Sequence, residues 1–223
     1  MTEIQVTGVS KAFHGIPVLS NIQLTVAKGT TVGIVGANGS GKSVLFKIIC
    51  GLTAPDQGSV SVRGKQLGKE LDFPDNVGMF INTPGYIGLY SGFKNLKFLA
   101  DIRRVIGPAE IKAAMRLVGL DPELKTKVAN YSLGMKQKLG IAQAIMEGQD
   151  ILVLDEPFNA LDYQTYNDIK EILTSLQGEN KTMLLTSHNY EDLASLCDIV
   201  YILQGGQLEL LTEERKAKYF RRS

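Results

Sequence analysis

The order of strand-like and helix-like segments predicts an α/β fold built around a parallel sheet, and three observations carry that prediction. Short β-type runs alternate with turn signals in the first third of the chain, and one of them runs straight into a glycine-rich segment and a helix. The run "ILVLDEP", Ile151 to Pro157, opens with four consecutive apolar residues, the pattern of a strand buried on both faces of a parallel sheet. From Asn95 to Met146 the apolar residues instead recur three and four apart, so a helical section is inserted in the α/β frame. At 223 residues the chain is long enough for one such domain with a full core, and one domain is the expectation.

In chain order, "IQVTGV", "VLSNIQLTVA" and "TTVGIVG" are the first strands, and "KSVLFKIIC" is the helix after the glycine-rich loop. A strand through Val77, Met79, Phe80 and Ile81 stops at Asn82, where Thr83-Pro84-Gly85 turns the chain. The insertion holds three helical segments, "NLKFLADIRRVIG", "AEIKAAMRLVGL" and "MKQKLGIAQAIM". After "DILVLDEP" comes a helix capped by Asp162, with Tyr166, Ile169, Leu173 and Leu176 on one face. "KTMLLTSH" is a strand, "NYEDLASLC" a helix, and "IVYILQGGQLELL" a hairpin turning at Gly205-Gly206. The tail "EERKAKYFRRS" is expected to be a short, solvated helix.

Composition narrows the partners. With 24 Lys+Arg against 23 Asp+Glu, the net charge of +1 sets up no global field toward nucleic acid or anionic lipid, and no nucleic-acid partner is expected. No apolar run reaches the roughly 20 residues that span a bilayer, and the first residues lack the charged-then-apolar pattern of a secretory signal. A cytoplasmic location follows as the expectation. The two cysteines, Cys50 and Cys197, lie in apolar helix-like surroundings without metal-site spacing and are expected to be buried free thiols.

The chemistry begins at "GANGSGKS", Gly36 to Ser43, which fits the pattern Gly, four residues, Gly-Lys-Ser/Thr between a strand and a helix. Glycines at 36, 39 and 41 let the backbone wrap a phosphate, and the free amides and positive dipole end of the following helix favour the anion. Lys42 would neutralise β and γ phosphates and the Ser43 hydroxyl would ligate Mg²⁺. Asp155 and Glu156, delivered to the ligand edge of the sheet, repel one another, so a cation or water is expected between them. Asp155 is suited to hold Mg²⁺ and Glu156 to polarise an attacking water. His188 ends its strand on the same side and can donate to a γ phosphate. Ser132 and Gly134 precede a long helix, a second helix N-terminus suited to an anion, far in sequence from the first. One chain therefore carries two half-sites.

Taken together, "GANGSGKS", "YSLGMKQ", "ILVLDEP", "NALD" and "TSH", in this order, resemble the nucleotide-binding subunit of the ATP-binding cassette transporters over essentially the whole chain. The resemblance implies a P-loop fold with a RecA-like core, an antiparallel β subdomain, and an α-helical subdomain inserted at about residues 83–148. It implies ATP and Mg²⁺ as cofactors, and a head-to-tail pair of subunits in which the glycine loop of one and the Ser132/Gly134 segment of the other enclose each ATP. The nucleotide-binding residues would be Phe13, Gly36, Asn38, Gly39, Ser40, Gly41, Lys42, Ser43 and Val44 on one side, with Ser132 and Gly134 on the other. Glu156 would be the general base, Asp162 would serve communication between subunits, and His188 would be the γ-phosphate switch. Phe13 occupies the place of an aromatic ring stacked on adenine, unless it is a core residue.

Two places depart from the common pattern. The signature has Tyr131, Leu133 and Met135 where Leu, Gly and Gln are usual. The metal set implied is Ser43, Asp155 and Asn82, and at Asn82 the family usually has a glutamine whose amide reaches Mg²⁺ and the attacking water. Asn82 keeps the amide one methylene shorter, or else it caps the Pro84-Gly85 turn. The "YSLGMKQ" form and "INTPGYIGLYSGFKNLKFLA" are similar to a bacterial subgroup that works with separate multi-span permeases, often exporting peptides or drugs. That implies a peripheral position on the inner face of the membrane. The alternative, a soluble cassette acting on ribosomes or nucleic acid, usually carries two cassettes in one chain or long arms and basic segments, and this sequence shows neither. A small-molecule kinase would leave Ser132/Gly134, Glu156 and His188 unexplained.

Overall fold

The computed structural model describes residues 1–81, 85–212 and 214–215. Two sheets share one chain. In the first, β1 (Thr2–Phe13), β2 (Ile16–Ala27), β4 (Gln57–Val62) and β5 (Lys65–Gln66) run antiparallel in the order β2-β1-β4-β5. The turn between β1 and β2 is His14-Gly15, with φ of 51° and 80°, the left-handed pair that matches the twist of a two-residue hairpin. Sequence reading passed over the β4–β5 hairpin. Its serine-rich alternation is short, but Val60 and Val62 are buried and Arg63-Gly64 repeats the left-handed pair.

The second sheet follows the order β10-β9-β3-β8-β7-β6, with β3 (Thr31–Val35), β6 (Val77–Phe80), β7 (Ile151–Leu154), β8 (Thr182–Ser187) and β9 (Ile199–Gln204) parallel. β10 (Gln207–Leu210) closes the edge antiparallel to β9 through the turn at Gly205-Gly206. Every residue of β3, β7 and β8 is buried, which is why these runs are apolar without alternation. Successive residues nevertheless enter different cores. Leu152 and Leu154 join the cluster made with the helices of the middle section, whereas Ile151 and Val153 join the one shared with the antiparallel sheet. Each fully buried Leu or Ile contributes about 1.5 to 3 kcal/mol, so neither face can be forfeited.

Helix α1 (Lys42–Ile49) leaves β3. Helices α2 (Gly92–Arg103), α3 (Pro108–Leu117) and α4 (Leu133–Ile145) lie in sequence between β6 and β7, which are neighbours in the sheet. Helix α2 begins three residues before the predicted segment because Ser91 Oγ accepts the Lys94 N–H, and it stops at Arg104, left-handed at φ 57°, short of the predicted Gly107. Helix α4 seats on β6 through two glycines that admit no side chain. A Cβ on Gly78 would lie 1.8 Å from Ala144 O, and one on Gly140 would lie 2.4 Å from the Phe80 ring. The Asp162 side chain accepts from the Thr165 N–H and starts α5 (Tyr163–Gly178), as expected. Helix α6 (Tyr190–Ala194) is shorter than the segment predicted for it. Both thiols are free, and burial pushes each up to about 12, although Cys197 is only half-buried. Asn82 and most of the predicted tail helix lie outside the described residues.

Candidate functional site

Because β3, β6, β7 and β8 are parallel, their C-terminal ends share one edge of the sheet, and β3 lies at the switch point between β8 and β9. The glycine loop leaves β3 there. Gly36 donates its N–H to Ser187 O at 3.3 Å, and a Cβ on it would sit 2.6 Å from Leu203 O. Gly39 and Gly41 have φ of 80° and 106°, and the crest Ala37-Asn38-Gly39 is exposed. Gly41 caps α1 without a side-chain bond, and the first turn holds no acidic residue, so its amides are unspent and its dipole uncompensated. Ser43 and Val44, half-buried, stand in that turn, and Ser40 Oγ is buried with no partner among the described residues.

Lys42 is buried and folds back along the loop, donating to Gly36 O at 2.6 Å and Ala37 O at 3.2 Å. It also reaches Glu156 Oε1 at 3.1 Å. The two carboxylates are kept apart by diverging: Lys42 pairs with Glu156, whereas Asp155 pairs with Thr186. Asp155 turns into the protein, where Oδ1 accepts the Thr186 hydroxyl at 2.6 Å. Glu156 takes a left-handed backbone, φ 52°, and swings the other way, between Lys42 and His188. His188 Nδ1 lies 2.9 Å from Glu156 Oε2, which also accepts the His188 N–H at 3.3 Å. Behind the histidine, Ser187 Oγ donates to the buried Asp192 at 2.5 Å and accepts the Asn189 N–H at 2.9 Å. The flanks of His188 are therefore fixed from within the sheet.

Phe13 is 43% exposed, so it is no core residue. It lies opposite Ile16 at the hairpin tip, and Val18, further along β2, packs on Gly41, which brings the hairpin to the glycine loop. Asp56 fastens that tip, accepting from Lys11 Nζ and from the Ala12 N–H, each at 2.7 Å, and Lys11 Nζ lies 5.5 Å over the Phe13 ring. These contacts hold the Asp56 carboxyl below the usual carboxylate range.

The Ser132 segment stands apart from this cluster. Helix α4 begins at Leu133 rather than Met135, so Ser132 is its cap, accepting the Met135 N–H at 3.1 Å, and Gly134 lies inside the first turn. A Cβ on Gly134 would meet Thr165 Cγ2 at 2.5 Å. Thr165 in turn donates its hydroxyl to Asp162 Oδ2 at 2.9 Å. Neither Ser132 nor Gly134 has a described contact with Lys42, Asp155, Glu156 or His188. Sequence reading missed Asp56, Thr165 and Thr186. Only Thr186 carried a signal, as a hydroxyl following the apolar run Met183 to Leu185 in a fully buried strand.

A phosphate-wrapping loop at a helix N-terminus, a lysine, two diverging carboxylates and a histidine on one sheet edge define a nucleoside triphosphatase. Residues 19–159 match the family described as ABC transporter, and the chain belongs to that family. It is 41% identical to the ABC transporter ATP-binding protein YybJ of Bacillus subtilis over 92% of this chain and 94% of that one. It is 34% identical to the bacitracin transport ATP-binding protein BcrA of Enterococcus faecalis, over 92% of this chain and 67% of that one. The fold matches the dimeric structure of MJ0796, a bacterial ABC transporter cassette, with a TM-score of 0.82 and 25% identity over 94% of this chain and 99% of that one. The protein is an ATPase whose cofactors are ATP and Mg²⁺.

Proposed function

We propose that this chain is the motor subunit of a transporter, that a pair of subunits closes head to tail around ATP, and that closure drives a separate membrane permease. The observation that carries this reading is the division of the site: Lys42, Asp155, Glu156 and His188 converge, while Ser132 and Gly134 have no contact with them among the described residues. A second copy, reversed, brings its Ser132 segment to the first copy's glycine loop.

On ATP binding Lys42 exchanges Glu156 for the β and γ phosphates, and the amides of the loop and of α1 hold the remaining charge. Ser43 and Asp155, with Asn82, would hold Mg²⁺, whose charge neutralises the phosphates. Asp155 Oδ2 is uncommitted among the described residues, which suits it to that task. Released by Lys42, Glu156 takes the proton of the attacking water, and His188 turns to the γ phosphate. Phe13 stacks on the adenine.

The permease would dock on a groove of about 370 Å³ lined by Leu52, Met79, Ile81, Tyr86, Phe98 and Leu99. Leu52, Phe98 and Leu99 are exposed apolar residues, and the Tyr86 hydroxyl there is buried without a partner among the described residues. Among the described residues no helix is long and apolar enough to cross a membrane. The relatives include a bacitracin transport protein and a Nod factor export protein, which supports an exporter of peptides or drugs. The chain would then sit in the cytoplasm, on the inner face of the membrane. Affinity purification from native membranes tests this reading. A co-purifying multi-span protein is expected, and recovery of ribosomes instead overturns it.

A further inference from the structure

The hydroxyl of Thr186, the first residue of the "TSH" run, joins the two carboxylates from behind. Thr186 is fully buried in β8, between Leu185 and Ser187, in a strand where every residue is buried. A buried hydroxyl must be paired, and this one is paired twice. It accepts the Glu156 N–H at 2.8 Å and lies 2.6 Å from Asp155 Oδ1. The first bond fixes the direction of the second. Since a backbone N–H can only donate, the single hydroxyl proton goes to the Asp155 carboxylate.

Each bond has a structural consequence. The one to Asp155 occupies Oδ1 and restrains the carboxylate's rotation, leaving Oδ2 with no described partner. The one to Glu156 receives a peptide N–H that has left the β7 ladder, at the residue whose left-handed φ of 52° throws its side chain toward Lys42 and His188. The metal-side and water-side carboxylates are therefore indexed to one atom.

We propose that Thr186 is a positioning residue for hydrolysis, setting Mg²⁺ affinity through Asp155 and the placement of the base through Glu156. The inference rests on the roles given to those two carboxylates above. Groups that orient metal ligands and bases from behind are worth about 10- to 100-fold in metal affinity or activity.

The test uses the full chain with Thr186→Val, which keeps the shape and removes the hydroxyl, Thr186→Ser, which keeps the hydroxyl, and Glu156→Gln as the control. Thr186→Val is expected to lower kcat about tenfold or more while KM for ATP changes little. The Mg²⁺ concentration that half-saturates binding of a fluorescent ATP analogue should rise severalfold, and Thr186→Ser should restore both. Wild-type kcat and Mg²⁺ dependence in Thr186→Val overturn the proposal, as does a Thr186→Ser chain equally impaired, which would assign the effect to packing. Should Thr186→Val not fold, Thr186→Ala against Thr186→Ser carries the same comparison. If Glu156→Gln turns over normally, the role of Glu156 falls, and the Mg²⁺ titration still decides the Asp155 half.

Discussion

The corner around Glu156 and the corner around Ser132 are both placed at helix N-termini or strand ends, yet they are finished differently. At the first, the helix turn is left uncapped and the surrounding side chains are tied to one another: Lys42 to Glu156, Glu156 to His188, Asp155 to Thr186. At the second, Ser132 caps its own helix and the segment is exposed, with Gly134 pressed back on Thr165. One corner is assembled by the chain for itself. The other is displayed, and under the proposed function a second subunit would complete it. Damage to the first should therefore be independent of protein concentration, and damage to the second should not.

Lys42→Ala should give the largest effect. It removes the only cation on the loop's floor among the described residues and leaves Glu156 without its partner, so nucleotide binding followed by fluorescence should fall below detection at every protein concentration. Retained binding would contradict the phosphate site. Next, Glu156→Gln should keep ATP affinity and lower turnover by about 10² or more, the loss that follows removal of a general base. Undiminished phosphate release would end that assignment.

Gly134→Ala sharpens the contrast between the corners. Its Cβ would collide with Thr165, displacing the Ser132 segment while leaving the first corner intact. ATP should bind each subunit normally, but the protein concentration giving half-maximal ATPase should rise by roughly tenfold, as expected when a docking geometry is spoiled. Equal loss at all concentrations would refute the division. Phe13→Ala should be mildest, weakening ATP binding by about 1 kcal/mol, roughly fivefold, in a titration, again without concentration dependence. Unchanged affinity would detach the hairpin from the site.

The part of the site legible in the sequence is the part written contiguously. The glycine loop, Asp155-Glu156 and His188 each follow an apolar strand, and parallel strands bring their ends to one edge whatever the detailed register. What was not legible depends on register itself. Thr186 reaches Asp155 only because β7 and β8 pair Leu154 with Leu185, a match no local pattern announces. Thr165 matters only because α4 happens to cross α5 at Gly134. Asp56 tethers the Phe13 hairpin across 44 positions. Helix starts were missed for a simpler reason: Ser91 and Ser132 cap before the apolar period becomes visible.

The close seat of α4 on β6 gives the helix a fulcrum. Gly140 and Ala144 bear on Phe80 and Gly78 with no room for a methyl group between them, so the distance from that contact to the start of α4 acts as a lever arm. Ser132 stands eight residues from Gly140, about 12 Å along the axis. A tilt of about 10° about that bearing would carry Ser132 roughly 2 Å, the difference between a hydrogen bond made and one lost.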